Sequence, residues 1–142
     1  MTIRGKCYCG AVEIEISEPS QNQLYCHCQS CRSWTGQQVM TGAVFSGDAV
    51  RFLSGEANVR RFKITDTQKL ERLSCEQCGA AIGTCVSVLN IYDICVGILQ
   101  DFVFKPAMHI NYQERKVSMP DGLPKFRDFP RSIGGTGEKI EE

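Results

Sequence analysis

The chain has 142 residues, with 16 basic and 16 acidic side chains and therefore no formal net charge. This length suits a single domain that buries roughly two-thirds of the surface its unfolded chain would expose. A balanced surface offers no field to gather phosphate backbones or anionic lipid, so neither nucleic acid nor membrane is an expected partner.

The N-terminal stretch "MTIRGKCYCG" lacks the apolar run of about 7 to 15 residues of a secretion signal. No later run approaches the roughly 18 apolar residues of a membrane span. A cytoplasmic location is the expectation. Nine cysteines, an odd number, are better explained in a reducing compartment by metal ligation than by disulfides.

Short alternating stretches dominate the chain. "VEIEI" places Val12, Ile14 and Ile16 on one face and Glu13 and Glu15 on the other, the pattern of a half-buried strand. A short helical turn is expected after Cys31, through "RSWTGQQ". "GAVFSGDAVRFLSGE" reads as two strands broken at Ser46-Gly47-Asp48, and "VRRFKITDTQKLERLSC" as a hairpin turning near Thr65-Asp66-Thr67. "AAIGTCVSVL" and "IYDICVGIL" are two further buried strands. "MPDGLPKFRDFPRS" is rich in Pro, Gly and charge and is expected as irregular surface structure. Residues 1–133 are expected to form one domain, followed by a loose tail over 134–142.

The cysteines carry the chemistry. "GKCYCGAV" and "LSCEQCGAA" each present a cysteine pair followed by glycine, which lets the backbone turn tightly and aim its amides at sulfur. Together Cys7, Cys9, Cys75 and Cys78 make a closed set of four thiolates, suited to a structural zinc; unligated core cysteines are the alternative. Between them, "LYCHCQSCRS" supplies Cys26 and Cys28 on one side of an extended segment and Cys31 across a turn. Three protein ligands with a fourth position for substrate is the pattern of a catalytic zinc, and a second structural zinc closed by a distant residue is the alternative. Alternation along an extended chain points the His27 side chain away from Cys26 and Cys28, as a residue behind the ligands or at the surface, with ligation as the lesser alternative. His109 reads as a packed, hydrogen-bonded histidine, with a metal ligand as the alternative, and Cys85 and Cys95 as small core residues, while Trp34 is either a core anchor or a stacking surface. Arg32, directly after the last ligand, is a candidate carboxylate clamp or is tied to the protein's own groups, and Ser33 and Thr35 are candidate polar contacts to substrate.

The ordered motifs "GKCYCGAV", "CHCQSCRSWTG" and "SCEQCGAA", followed by "GILQD", "KPAMHI" and "DGLPKF", resemble the glutathione-dependent formaldehyde-activating enzyme family over roughly residues 4 to 127. The resemblance implies a mainly β, tent-like zinc-binding fold of antiparallel sheets with few helical turns. It also implies two zinc ions per chain, structural at Cys7, Cys9, Cys75 and Cys78 and catalytic at Cys26, Cys28 and Cys31. The implied activity is that of a carbon-sulfur lyase joining a small thiol, glutathione, to an aldehyde, formaldehyde. Two other readings compete: a zinc-stabilised protein-binding module without catalysis, and a redox enzyme of the methionine sulfoxide reductase kind using Cys85 or Cys95.

Overall fold

The computed structural model describes residues 2–142. In chain order its elements are β1 (Ile3–Lys6), β2 (Glu13–Ile16), β3 (Asn22–Cys26), α1 (Gln29–Thr35), β4 (Met40–Ser46) and β5 (Val50–Ser54), then β6 (Val59–Phe62), β7 (Leu70–Cys75), β8 (Ala81–Val86), β9 (Ile91–Cys95), β10 (Leu99–Gln100) and β11 (Met108–Ile110). Short 3-10 turns separate several strands. The chain is mainly β, in two sheets, as its alternating pattern predicts. No helix among the described residues is long and apolar enough to cross a membrane.

One compact unit comprises residues up to Gln21 together with Ala43–Val103. Its first sheet has the order β10-β1-β2-β5, paired antiparallel throughout. Ile14 and Ile16 of β2 are fully buried against Ala43, Phe45, Ala49 and Ile94, while Glu15 turns outward to pair with Arg4 and Arg51. The second set runs β9-β8-β7-β6, again antiparallel, and its β6–β7 hairpin closes through the Gln68 amide donating to the Thr65 carbonyl. Leu73 and Ile82 lie fully buried with Cys7, Val12, Cys75 and Cys85. Burying one such aliphatic side chain stabilises the fold by about 1.5–3 kcal/mol. The β7–β8 register slips between Leu73 and Ser74, where β8 carries one extra residue, Ile82, close to Cys75 at the end of β7.

The other unit comprises Asn22–Gly42 and Phe104–Glu142. Here β3 and β11 pair in parallel, with Leu24, Tyr25 and Cys26 opposite Met108, His109 and Ile110, a departure from the antiparallel sheets expected. Seven residues are too few for a helix to stand on propensity, and α1 is held by its ends. The Cys28 sulfur caps its start by accepting the Cys31 amide at 3.2 Å, and Gly36 ends it in the left-handed conformation. This cap is why the helix begins at Gln29, before Cys31, rather than after it.

The C-terminal part carries more contacts than its composition suggests. Residues 138–142 are not loose: the Arg127 amide donates to the Glu138 carbonyl, the Ile140 amide to the Lys125 carbonyl, and Arg115 pairs with Glu142 at 3.5 Å. The proline-rich stretch is irregular but not wholly superficial, because Lys125 is only 2% exposed and returns its ammonium to Asp121. Pairing with Asp121 is what lets a lysine be buried in a stretch of polar composition.

Candidate metal centres

Cys7, Cys9, Cys75 and Cys78 bring four sulfurs within 4.8 Å of one another. Cys7 follows the end of β1, Cys75 is the last residue of β7, and Cys9 and Cys78 lie in the turns beyond. Gly10 and Gly79 take φ of +83° and +77°, a region that side chains with a Cβ rarely adopt, and each donates its amide to the carbonyl three or four residues back, at Cys7 and Cys75. The Val12 amide reaches the Cys7 sulfur at 3.3 Å. Hydrogen bonding from the Ala80 amide leads the effects that pull the Cys78 thiol down to about 6, into the thiolate range at neutral pH. The sulfur separations test the fit to a metal. Cys7 to Cys9 is 3.7 Å and Cys9 to Cys75 is 3.8 Å; a tetrahedron drawn with zinc–sulfur bonds of about 2.3 Å has edges of about 3.8 Å. The four residues therefore fit a tetrahedral, thiolate-preferring cation. No disulfide joins any of the nine cysteines.

Cys26, Cys28 and Cys31 form the second cluster, with their sulfurs also within 4.8 Å. They come from the last residue of β3, the cap of α1 and the first turn of α1. Among the described residues no histidine or carboxylate atom joins this group. Hydrogen bonding with Cys28, then with Cys31, and then burial push the Cys26 thiol far up, since several negative sulfurs cannot be held this close without a cation between them. The three residues fit a metal ion as its protein ligands.

Behind the cluster lies a polar layer of which the sequence showed only part. Asn111, at the end of β11 and in the left-handed conformation with φ of +53°, donates its side-chain amide to the Cys26 sulfur at 3.6 Å. His27 and His109 are both fully buried and meet through Nε2 of one and Nδ1 of the other at 2.8 Å. His109 stacks on Tyr25, and its Nε2 lies 2.8 Å from Asp121 Oδ2. His27 thus lies outside the ligand set but inside the protein rather than at its surface. Burial leads the effects that lower its pKa to about 4, and the nearby guanidinium charges of Arg115 and Arg32 add to it. For Asp121, burial would raise the pKa, but hydrogen bonds from Lys125 and His109 outweigh it and hold the carboxyl well below the usual range. Only the sequence spacing of Asp121 and Lys125 from any ligand concealed them; Asn111 was concealed because an asparagine beside "HI" reads as a turn.

A shallow groove of about 290 Å³ is lined by Gln29, Arg32, Ser33, Gly36, Gln37, Gln38 and Lys116. Arg32 and Ser33, two of the expected substrate contacts, lie on it; Thr35 does not, because its hydroxyl donates to the Cys31 carbonyl at 2.8 Å and accepts the Gln37 amide. Arg32 is braced internally as well: Nε donates to the His27 carbonyl, and one terminal nitrogen donates to Gln29 Oε1 and to the Glu114 carbonyl. Lys116 adds a second cation that sequence order placed far from the cysteines. Trp34 is half-buried on α1 and lies off the groove lining.

No functionally curated protein matches the chain. Among solved structures, that of a Rhodobacter sphaeroides protein, determined as a structural genomics target, superposes with a TM-score of 0.59 at 26% identity, covering 70% of this chain and 90% of that one. The family described as glutathione-dependent formaldehyde-activating enzyme matches residues 2–114, a span that holds both cysteine clusters. On that match, and with seven cysteines gathered into the two clusters its motifs anticipate, the chain belongs to the glutathione-dependent formaldehyde-activating enzyme family.

Proposed function

We propose that the chain is a zinc-dependent carbon-sulfur lyase that forms and cleaves S-hydroxymethyl adducts of a small thiol such as glutathione. In this reading residues 1–133 are its zinc-binding domain, with a structural zinc at Cys7, Cys9, Cys75 and Cys78 and a catalytic zinc at Cys26, Cys28 and Cys31. The observation that carries it is the difference between the clusters, four convergent sulfurs in one and three in the other. A cytoplasmic location belongs to the same reading, since both the ligands and the substrate thiol must stay reduced.

Zinc held by Cys26, Cys28 and Cys31 would supply a Lewis-acid position that favours the deprotonated, nucleophilic form of an incoming thiol. The chain's own residues then have three tasks. Cys26, Cys28 and Cys31 hold the centre, and the Asn111 amide spreads the charge of the Cys26 sulfur. Arg32 and Lys116 present cations along the groove, where a carboxylate-bearing thiol would lay its acid groups, with Ser33 as a polar contact. Thr35 supports the site from behind by fixing the end of α1. With the thiol so placed, its sulfur bonds to the aldehyde carbon, the carbonyl oxygen becomes a hydroxyl, and the thiol's proton ends on that oxygen. The reverse course breaks the carbon-sulfur bond.

Exchange spectroscopy with 13C-formaldehyde and glutathione tests this directly. Zinc-loaded protein is expected to accelerate interconversion of hydrated formaldehyde and adduct above the spontaneous rate, and Cys28→Ser to remove the acceleration. A fully zinc-loaded, folded protein with no acceleration would reject the lyase and favour a zinc-stabilised binding module.

A further inference from the structure

We propose that Asp121 and His109 are positioning residues for the Cys26, Cys28 and Cys31 cluster, acting through His27 by fixing its imidazole with the proton on Nε2 and a bare Nδ1. The proposal rests on the reading of that cluster as a metal centre.

The proton order follows from one end of the buried chain. Lys125, 2% exposed, donates its ammonium to Asp121 Oδ1 at 2.9 Å, and the Leu123 amide donates to the same oxygen at 3.1 Å. A buried cation requires an anion beside it, so Asp121 is a carboxylate and can only accept. His109 Nε2, 2.8 Å from Oδ2, therefore carries a proton. Lys125 already matches the single charge of Asp121, so an imidazolium at the fully buried His109 would be a second cation on one carboxylate; the ring is therefore neutral with one proton, which leaves His109 Nδ1 as an acceptor and makes His27 Nε2 the donor across their 2.8 Å contact. His27 Nδ1 is buried and has no partner among the described residues, so a proton there would be an unpaired buried donor. Every contact in the chain agrees with this order.

The consequence falls on the metal ligands because His27 stands between two of them. Its amide donates to the Ile110 carbonyl at 3.1 Å, and its carbonyl accepts Arg32 Nε at 3.0 Å. The ring bond to His109 is the third tether, and β11 carries His109 next to Ile110, which lies opposite Cys26. Three tethers fix the one residue whose rotation would swing the Cys26 and Cys28 sulfurs apart. Reversing the proton order leaves His27 with a buried donor that must turn to find an acceptor, and the ligands turn with it.

Asp121→Asn makes the reversal. Lys125 still needs an acceptor, so the amide oxygen stays toward Nζ and the NH₂ group faces His109 Nε2, which must now accept. The chain has only two histidines, so a long-range 1H–15N correlation spectrum of 15N-histidine-labelled, zinc-loaded protein reads both rings. Wild type is expected to show two Nε2–H tautomers and Asp121→Asn two Nδ1–H tautomers. Competition with a chromophoric chelator is expected to show about tenfold weaker zinc binding at one site of the variant and no change at the other. Asp121→Glu, which keeps a carboxylate, is expected to restore both readouts. Asp121→Ala, which deletes the half-exposed carboxylate, serves if the asparagine variant does not fold and is expected to show mixed tautomers with the same loss. An Nδ1–H proton on His27 in wild type, or altered tautomers with unaltered zinc affinity, overturns the proposal. Wild-type protein that holds a single zinc ion would instead reject the metal reading of the middle cluster, while the same spectrum still decides the proton order.

Discussion

Replacing Cys78 with serine should damage this protein far more than replacing Cys28, although each substitution removes one sulfur from one cluster. The reason is the length of chain each cluster closes. The four-cysteine cluster joins Cys9 to Cys75, whose sulfurs lie 3.8 Å apart across a sequence separation of 66. Treating the metal as a cross-link, the chain-entropy relation gives about 4 kcal/mol for a loop of that length, against about 2 kcal/mol for the loop from Cys26 to Cys31. A domain of this kind has roughly 5–15 kcal/mol in total. Cys28→Ser loses less still, because serine is a good helix cap and can accept the Cys31 amide in place of sulfur. At about 3–4 °C per kcal/mol for a chain of this size, Cys78→Ser should lower the melting temperature by about 15 °C, and Cys28→Ser by no more than about half as much. Thermal unfolding followed by circular dichroism, with zinc content measured on the same samples, gives both numbers. Equal losses of melting temperature would refute the division between a cluster that ties the fold together and one that does not.

Asn111→Gly should fold, since glycine accepts the φ of +53°, yet bind zinc at the middle cluster about tenfold more weakly because the Cys26 sulfur loses its donor; chelator competition measures it. Lys116→Glu should weaken glutathione binding about fivefold and leave mercaptoethanol binding within about twofold, with the difference shrinking at high salt; calorimetry decides. Burial, opposed by the charge of Arg72, holds the Asp93 carboxyl at about 6 rather than its ordinary 3.8. Its folded-state value lies above its unfolded one, so this group favours the folded state fully below pH 3.8 and that contribution is lost as pH rises through about 6. Relative to Asp93→Asn, which does not titrate, wild type should lose about 3 kcal/mol from well below pH 3.8 to well above pH 6 in urea unfolding, and a constant difference across the range would contradict the argument.

Much of the fold was legible because the strands announce themselves. Ile14 and Ile16 alternate with Glu13 and Glu15, and the burial alternates with them. Local chemistry also announced the cysteine clusters: the glycine after each pair in the first and third motifs does take the left-handed conformation that the turn requires. What could not be read depends on pairings between distant segments. The parallel pairing of β3 with β11 has no local signature, and it is what sets His109 beside His27 and Asn111 beside Cys26. The burial of Lys125 depends on Asp121, four residues away, and a lysine's charge alone does not announce such a partner. The hydrogen bond from the Thr35 hydroxyl to the Cys31 carbonyl is likewise a property of the helical turn that adjacency to the ligands does not announce.

Substitution of both clusters with 113Cd and observation of its resonances, before and after addition of a small thiol, tests the central claim most directly. The account predicts two resonances: one in a four-sulfur environment that does not move, and one that shifts toward a four-sulfur position as thiol is added. Two resonances that both ignore the thiol, or only one bound ion per chain, would contradict it.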